Sequence, residues 1–189
     1  RKKKTNSNDP NQINIGVFLE FNCHIKSSDN LYINHINTAE NPEASQTENW
    51  FILKKGVQIN IIEKNFYSKT LRLPVKKSLF SNWVLEENSK LIYYSFESKN
   101  INKESFITNN VRIKQQRKSA LSFLTFYWGL GAINNCLEVF LEEPKAICNT
   151  FSISLLKNDS SVDNNITIRH NAPECESSQI YRGVYGGES

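Results

Sequence analysis

The chain has 189 residues, of which 39% are hydrophobic, with 11 Phe, 7 Tyr and 3 Trp and a net charge of +4. This length predicts one domain with a proper core plus a partial second module, and the composition excludes a wholly disordered chain. No apolar run reaches the roughly 18 residues that would cross a membrane, and basic residues do not cluster with aromatic ones as in nucleic-acid-binding proteins.

The chain begins with a basic run, Arg1 to Lys4, inside a polar stretch that extends to Gln12. A nuclear signal or a phosphate contact would also suit this run. Its polar continuation favours a solvated, disordered leader over residues 1–12.

The first ordered segment runs from Ile13 to Cys23, where six apolar or cysteine residues alternate with other residues and predict a strand with Cys23 facing the core. Further strands or short apolar segments follow at Leu31–Ile33, Trp50–Leu53, Gly56–Leu73, Phe80–Val84, Lys90–Glu97, Phe106–Ile113, Leu121–Trp128 and Leu137–Leu141. The Gly56–Leu73 segment is expected to bend or bulge near Ile61 and Ile62. No internal repeat is evident.

The stretch from Leu121 to Cys148 predicts a β-hairpin, because two apolar strands flank Gly129–Gly131 and Asn134–Asn135, residue types that tolerate a turn. Strands joined by turns, without an amphipathic helix, predict an all-β fold, a β-sandwich of Greek-key or jelly-roll type, and we expect the jelly roll. We place a module boundary at about residue 148. Residues 13–148 form the sandwich, and residues 149–189 begin a small disulfide-rich β module.

Four cysteines are present, without CxxC or histidine at metal-ligand spacing. Cys23 faces inward and Cys136 lies at the hairpin bend, so a bridge between them would join distant parts of one domain and contribute roughly 4–5 kcal/mol. Cys148 and Cys175 would belong to the second module, paired with each other or with cysteines elsewhere. Sequons at Asn158 and Asn165, paired cysteines and the missing initiator Met favour a processed, secreted chain.

No catalytic constellation is found. His24, His35 and His170 fall in no metal or triad motif, and Glu142-Glu143 is interpreted as a solvated hairpin end, because adjacent strand residues face opposite sides. We therefore expect no enzyme activity, metal or cofactor in this chain.

Several short motifs resemble the ectodomain of Eph receptors. They are Asn49-Trp50, Gly56–Phe66, Leu91–Ser98, Phe123–Phe126 and Gly131–Cys148, with Cys23 and Cys175 at the places of family half-cystines. The chain departs from the family in lacking its small loop disulfide after Phe66, in a shorter 109–118 segment and in a longer stretch between Cys23 and Trp50.

The resemblance implies a ligand-binding ectodomain of a receptor tyrosine kinase, on the outside of the plasma membrane. Its partner would be an ephrin tethered to an opposing cell, with receptor clustering and axon guidance as the context. Lys69 would face ephrin acids, and Trp50, Tyr93 and Tyr94 would line the binding groove unless they pack in the core.

Two alternatives come from different classes of protein. One is a MAM-type jelly-roll adhesion module, although that class arranges its cysteines differently. The other is a secreted carbohydrate-binding sandwich or glycosidase, which would need an exposed aromatic platform and a carboxylate pair that the sequence does not offer.

Overall fold

The computed structural model describes residues 16–22, 30–37, 45–67, 74, 76–97, 104–128, 131–157 and 160–187. Regular structure there consists of twelve strands: β1 (Phe18–Phe21), β2 (Asn30–Asn37), β3 (Ser45–Leu53), β4 (Gln58–Tyr67), β5 (Lys76–Leu85), β6 (Lys90–Glu97), β7 (Phe106–Gln115), β8 (Ala120–Trp128), β9 (Ala132–Leu141), β10 (Ile147–Lys157), β11 (Ser161–His170) and β12 (Glu176–Gly186). Within these ranges no helix is long and apolar enough to cross a membrane. The predicted leader, residues 1–12, lies outside them.

The strands form two six-stranded sheets in which every pair is parallel. Sheet A has the order β1-β3-β5-β7-β9-β11, and sheet B has the order β12-β10-β8-β6-β4-β2. The chain therefore alternates between the two sheets, and each strand pairs with the strand two places along the chain. This topology is a β-solenoid with two strands in each turn.

The jelly-roll prediction is wrong, although the all-β class is correct. The predicted hairpin partners β8 and β9 lie in different sheets, and β8 pairs with β6 and β10 instead. Apolar alternation defines a strand with one buried face but does not define the direction of its neighbour, so the sequence pattern suited both architectures. The boundary predicted at about residue 148 falls inside β10, and sheet B continues through it to β12.

The solenoid repeats with an offset of 26 to 32 residues, and the expectation that no repeat exists is also wrong. Phe106 pairs with Ala132, and Ser45 pairs with Lys77. Successive turns place their strands at equivalent positions, but the residues at those positions differ. A search for matching letters at fixed spacing therefore misses them.

The apolar core lies where the chain passes from sheet A to sheet B. Four aromatic rings stack through it: Phe51 on Trp83 at 4.1 Å, Trp83 edge-on to Tyr93 at 5.5 Å, and Tyr93 on Phe123 at 4.8 Å between ring centroids. Each such pair adds about 0.5–1.5 kcal/mol to the stabilisation that comes from burial alone. The core thus connects neighbouring turns as well as the two sheets.

Tight corners stack on one another at this A-to-B end. The backbone has positive φ at the same corner position in successive turns, for example 75° at Gly56, 58° at Asn88 and 55° at Lys118. The Gly56 N–H donates to the carbonyl of Glu87, and the Asn88 N–H donates to that of Arg117, both at 2.9 Å. These turn-to-turn bonds offset the cost, about 1–2 kcal/mol, of a left-handed conformation in a residue other than glycine.

Candidate functional site

The interior of the solenoid changes from apolar to polar along the strands of sheet B. Inward positions near the A-to-B corners are apolar, as at Ile61, Leu91 and Leu121. Further along, one column of paired inward positions carries Glu63, Ser95, Thr125, Ser152 and Tyr181. Polar side chains therefore fill the interior at the opposite end, where the chain returns from sheet B to sheet A.

Buried charged groups lie at this polar end. The exposed fractions of Glu63, Glu97 and Lys77 are only 2%, 4% and 8%. Asn65 joins two of them, since its Nδ2 donates to Oε1 of Glu97 at 2.7 Å and its Oδ1 accepts from Nζ of Lys77 at 3.2 Å. The imidazole of His35, on edge strand β2, contacts the Glu63 carboxylate. Such groups remain ionised inside a protein only when they are paired and hydrogen-bonded.

The pKa values of buried groups reflect this environment. Burial lowers the pKa of Lys77, while the carboxylates of Glu97 and Glu63 act in the opposite direction. Burial also raises the pKa of Tyr127 and of Tyr181. Removal from water on burial disfavours the charged form of each of these groups.

An asparagine ladder continues the polar interior along sheet A. Nδ2 of Asn109 donates to Oδ1 of Asn135 at 2.9 Å, and Nδ2 of Asn135 donates to Oδ1 of Asn164 at 2.9 Å. The three residues occupy paired positions on β7, β9 and β11. Stacked amides of this kind satisfy one another from turn to turn, as they do in other stacked parallel strands.

The polar groups surround a cavity of about 40 Å³, here called the polar chamber. Its walls include the polar residues Glu63, Asn65, Glu97, Thr125, Tyr127 and Asn135, together with apolar side chains such as Leu79, Val111 and Phe123. Since one water molecule needs roughly 10–15 Å³ of such volume, the chamber has room for about three. Chemically it offers carboxylate, amide and hydroxyl groups that can solvate small polar species inside the solenoid.

Three cysteines are described, and all have free thiols. Cys148 is fully buried, and burial raises its pKa to about 12. Cys175, at the last corner, is partly exposed, and its Sγ donates to the carbonyl of Glu143 at 3.3 Å. Cys136, also partly exposed, lies on β9 next to the inward Asn135. Among the described residues no group of three or more His, Cys, Asp or Glu could hold a metal ion.

The predicted disulfide residues are placed as follows. Cys23 lies outside the described residues. Its predicted partner Cys136 has a free thiol, and so do Cys148 and Cys175. Of the two sequon residues, Asn158 is outside the described ranges and Asn165 lies exposed on β11.

The predicted groove residues are not brought together. Tyr93 faces inward and stacks in the core, whereas Tyr94 faces outward on the same strand of sheet B. Trp50 is exposed on sheet A, where its Nε1 donates to Glu48. Lys69 lies outside the described residues. Their ligand-binding role rested on the receptor resemblance alone.

The polar chamber was missed in the sequence because its residues resemble the solvated face of ordinary strands. Nothing in the sequence marks Glu63, Asn65 or Glu97 as buried, since charged and amide residues on a strand usually face solvent. Aligning the strands at an offset near 30 residues would have placed Asn109, Asn135 and Asn164 in one column. The alternation of apolar residues alone does not reveal this column.

Comparison with curated proteins finds no match, and comparison with solved structures finds none either. One protein-family model does match. It is described as "SUF system FeS cluster assembly, SufBD core domain", and the match extends over residues 35–189.

This match overturns the resemblance to Eph receptors and what it implied. The parallel solenoid is a different architecture from the jelly roll on which the receptor motifs would lie, and the matched family is not a receptor family. SUF proteins work with SUF partners inside cells. Three predictions are therefore wrong: an ephrin partner on an opposing cell, a receptor and axon-guidance role, and an extracellular location at the plasma membrane. The MAM and carbohydrate-binding alternatives are wrong for the same reasons.

The matched region extends from the later part of β2 to the end of the chain. It includes every strand from β3 to β12, the polar chamber and all three described cysteines. It covers more than four fifths of the sequence. The chain belongs to the SufBD core domain family of the SUF system of iron–sulfur cluster assembly.

Proposed function

We propose that this chain is a non-enzymatic scaffold in iron–sulfur cluster assembly, and that the cluster is its cargo. The observation that carries the proposal is the family match over residues 35–189. SufBD is a scaffold-type family, and the role of a scaffold is to hold partners and cargo in place.

The shape of the solenoid supports this role. Every described strand bonds to a neighbour along its length, and the stacked corners add bonds from one turn to the next. A rod of this kind resists bending and exposes long, regular surfaces on which other subunits can be arranged.

Two of the three described thiols also suit a role in holding a cluster. Iron–sulfur clusters are held by cysteine thiolates, and a thiolate forms readily only where the thiol is exposed or near positive charge. Cys136 and Cys175 are partly exposed and are the described thiols that a cluster or its precursors could reach. Cys148 is unsuited, because it is buried and burial raises its pKa to about 12.

The test is to co-express the chain with the other SUF components of the same source and to purify the assembly under anaerobic conditions. Iron and acid-labile sulfide are then measured per assembly. We expect the chain to co-purify with SUF components and the assembly to contain both elements.

Two variants sharpen the result. Cys136→Ser combined with Cys175→Ser should lower the iron and sulfide content, whereas the matched control Cys148→Ser should leave it unchanged. Failure of the wild-type chain to associate with any SUF component, together with a cluster content independent of its presence, would reject the proposal.

A further inference from the structure

The outer surface of sheet B is apolar over the part of each strand that encloses the polar interior. One column of paired outward positions carries Tyr32, Ile62, Tyr94, Leu124, Phe151 and Ile180. The next carries Phe96, Phe126 and Ile153 between Lys64 and Arg182. We call these two columns the apolar face. Here the usual arrangement is reversed, with polar groups inside and apolar groups outside.

The apolar side chains on this side of the molecule are concentrated rather than scattered. Fourteen large apolar side chains are exposed in the described part of the chain, and eight of them point outward from sheet B. Tyr32 is 55% exposed and Ile153 is 47% exposed. Single exposed apolar residues are ordinary, whereas a contiguous patch indicates an interaction surface.

A groove in the apolar face has a shape suited to side-chain insertion. It has a volume of about 170 Å³, and its walls include Tyr94, Phe96, Leu124, Phe126, Phe151 and Ile153. Since it recedes into the sheet, it can receive one or two apolar side chains from another protein. A lipid bilayer, in contrast, is best entered by side chains that project.

The charged residues on the outer side of sheet B indicate the charge of a partner that would bind there. The outward positions of sheet B carry four basic residues, Lys64, Lys90, Lys157 and Arg182, and one acidic residue, Glu176. None of the four bases forms an ion pair with a described residue. On the outer side of sheet A, Arg112 does pair with Glu138, at 2.7 Å.

We propose that the apolar face is a docking site for an acidic amphipathic helix of a partner protein. Its apolar side would fill the groove and its acidic residues would meet Lys64 and Arg182, the two bases that flank the second column. Six strands about 4.8 Å apart give a surface roughly 24 Å long, which matches a helix of about 16 residues. A second copy of the chain is disfavoured, because the same basic residues would face each other.

This proposal stands independently of the role in cluster assembly. It is tested on the full chain with two synthetic helical peptides of about 18 residues. Both carry leucine and phenylalanine on one side, and they differ in having glutamate or lysine on the other. Binding is followed by fluorescence anisotropy at low and high salt, with phosphatidylserine vesicles as a third probe and light scattering as a measure of self-association.

The glutamate peptide should bind, and added salt should weaken it. Ile153→Asp should reduce its affinity by about tenfold or more, since a charge would enter the groove. Lys64→Glu combined with Arg182→Glu should reverse the preference between the peptides. Phe106→Asp is the matched control, because Phe106 is 46% exposed on the outer side of sheet A, and it should leave binding unchanged.

Four results would overturn the proposal. They are equal binding of both peptides, binding that Ile153→Asp does not affect, binding to vesicles in place of the peptide, and self-association that Ile153→Asp abolishes. The last two would assign the face to a membrane or to a second copy of the chain.

Discussion

Nδ2 of Asn109 donates a hydrogen bond to Oδ1 of Asn135, 26 residues later in the chain and one turn further along the solenoid. The bond is 2.9 Å long and lies among inward-facing residues. It shows that the polar interior is organised from turn to turn, since the Asn135 amide accepts from Asn109 and donates to Asn164 along the same column.

Replacing the middle member of this ladder tests its contribution to stability. Asn135→Ala removes the acceptor for Asn109 and the donor for Asn164, and leaves two inward amides without these partners. We expect the free energy of unfolding to fall by about 1–3 kcal/mol in urea denaturation. The neighbouring Asn134→Ala, whose side chain points to the other face, should cost less than about 0.5 kcal/mol. Equal effects would contradict the ladder.

The aromatic stack predicts a large effect at Trp83, which is 2% exposed and contacts both Phe51 and Tyr93. Trp83→Ala should destabilise the chain by about 3–5 kcal/mol through lost burial and the cavity left behind. Trp50→Ala serves as the control, because Trp50 is 44% exposed. The core assignment fails if the two variants unfold at the same denaturant concentration.

His35 is expected to hold edge strand β2 on the solenoid through Glu63. His35→Ala leaves the 2%-exposed carboxylate of Glu63 without this partner, and we expect a loss of about 1–3 kcal/mol. Hydrogen exchange should become faster in β2 and remain unchanged in β8. Unchanged exchange in β2 would show that the contact contributes little.

Cys148 should be the least reactive of the described thiols. It is fully buried, and its pKa is raised by burial to about 12 from an ordinary value of 9.0. Its thiolate at pH 8 should therefore be about a thousandfold scarcer than that of an ordinary cysteine. Mass spectrometry after iodoacetamide treatment should show Cys175 modified well before Cys148, and denaturant should abolish the difference.

The same group makes stability depend on pH. The unfolded chain releases the thiol proton near pH 9, whereas the folded chain retains it until about pH 12. Cys148 therefore contributes stability that is complete below pH 9 and is lost as the pH rises towards 12. At pH 10.5 the loss should approach about 2 kcal/mol, and Cys148→Ser should show a correspondingly smaller decrease between pH 8 and 10.5. An identical decrease in both proteins would rule out this contribution.

The sequence predicts the strands better than their arrangement. The segment Lys90–Glu97 was predicted as a strand and is β6, because its alternation depends only on residues close in the chain. The pairing of β8 with β6 and β10 depends on residues about 30 positions away, and alternation is the same for parallel and antiparallel neighbours. Asn134 and Asn135 were predicted to form part of a turn and instead lie within β9, because asparagine also occupies the inward ladder of a solenoid.

The site was harder to predict than the fold. Glu63 and Glu97 are charged residues that a single sequence places on the surface by default, since charged residues are seldom buried. Their burial follows from the stacking of turns, which brings Asn65 of β4 to Glu97 and His35 of β2 to Glu63. The receptor resemblance was built on motifs too short to distinguish one all-β architecture from another.

The measurement that tests the central claim most directly is the activity of iron–sulfur enzymes in cells depleted of this chain. We predict that the activity of a [4Fe–4S] enzyme such as aconitase falls while the amount of its polypeptide stays constant, and that re-expression of the chain restores the activity. Unchanged activity and cluster content after complete depletion, in cells where the SUF system is the source of those clusters, would contradict a role in cluster assembly.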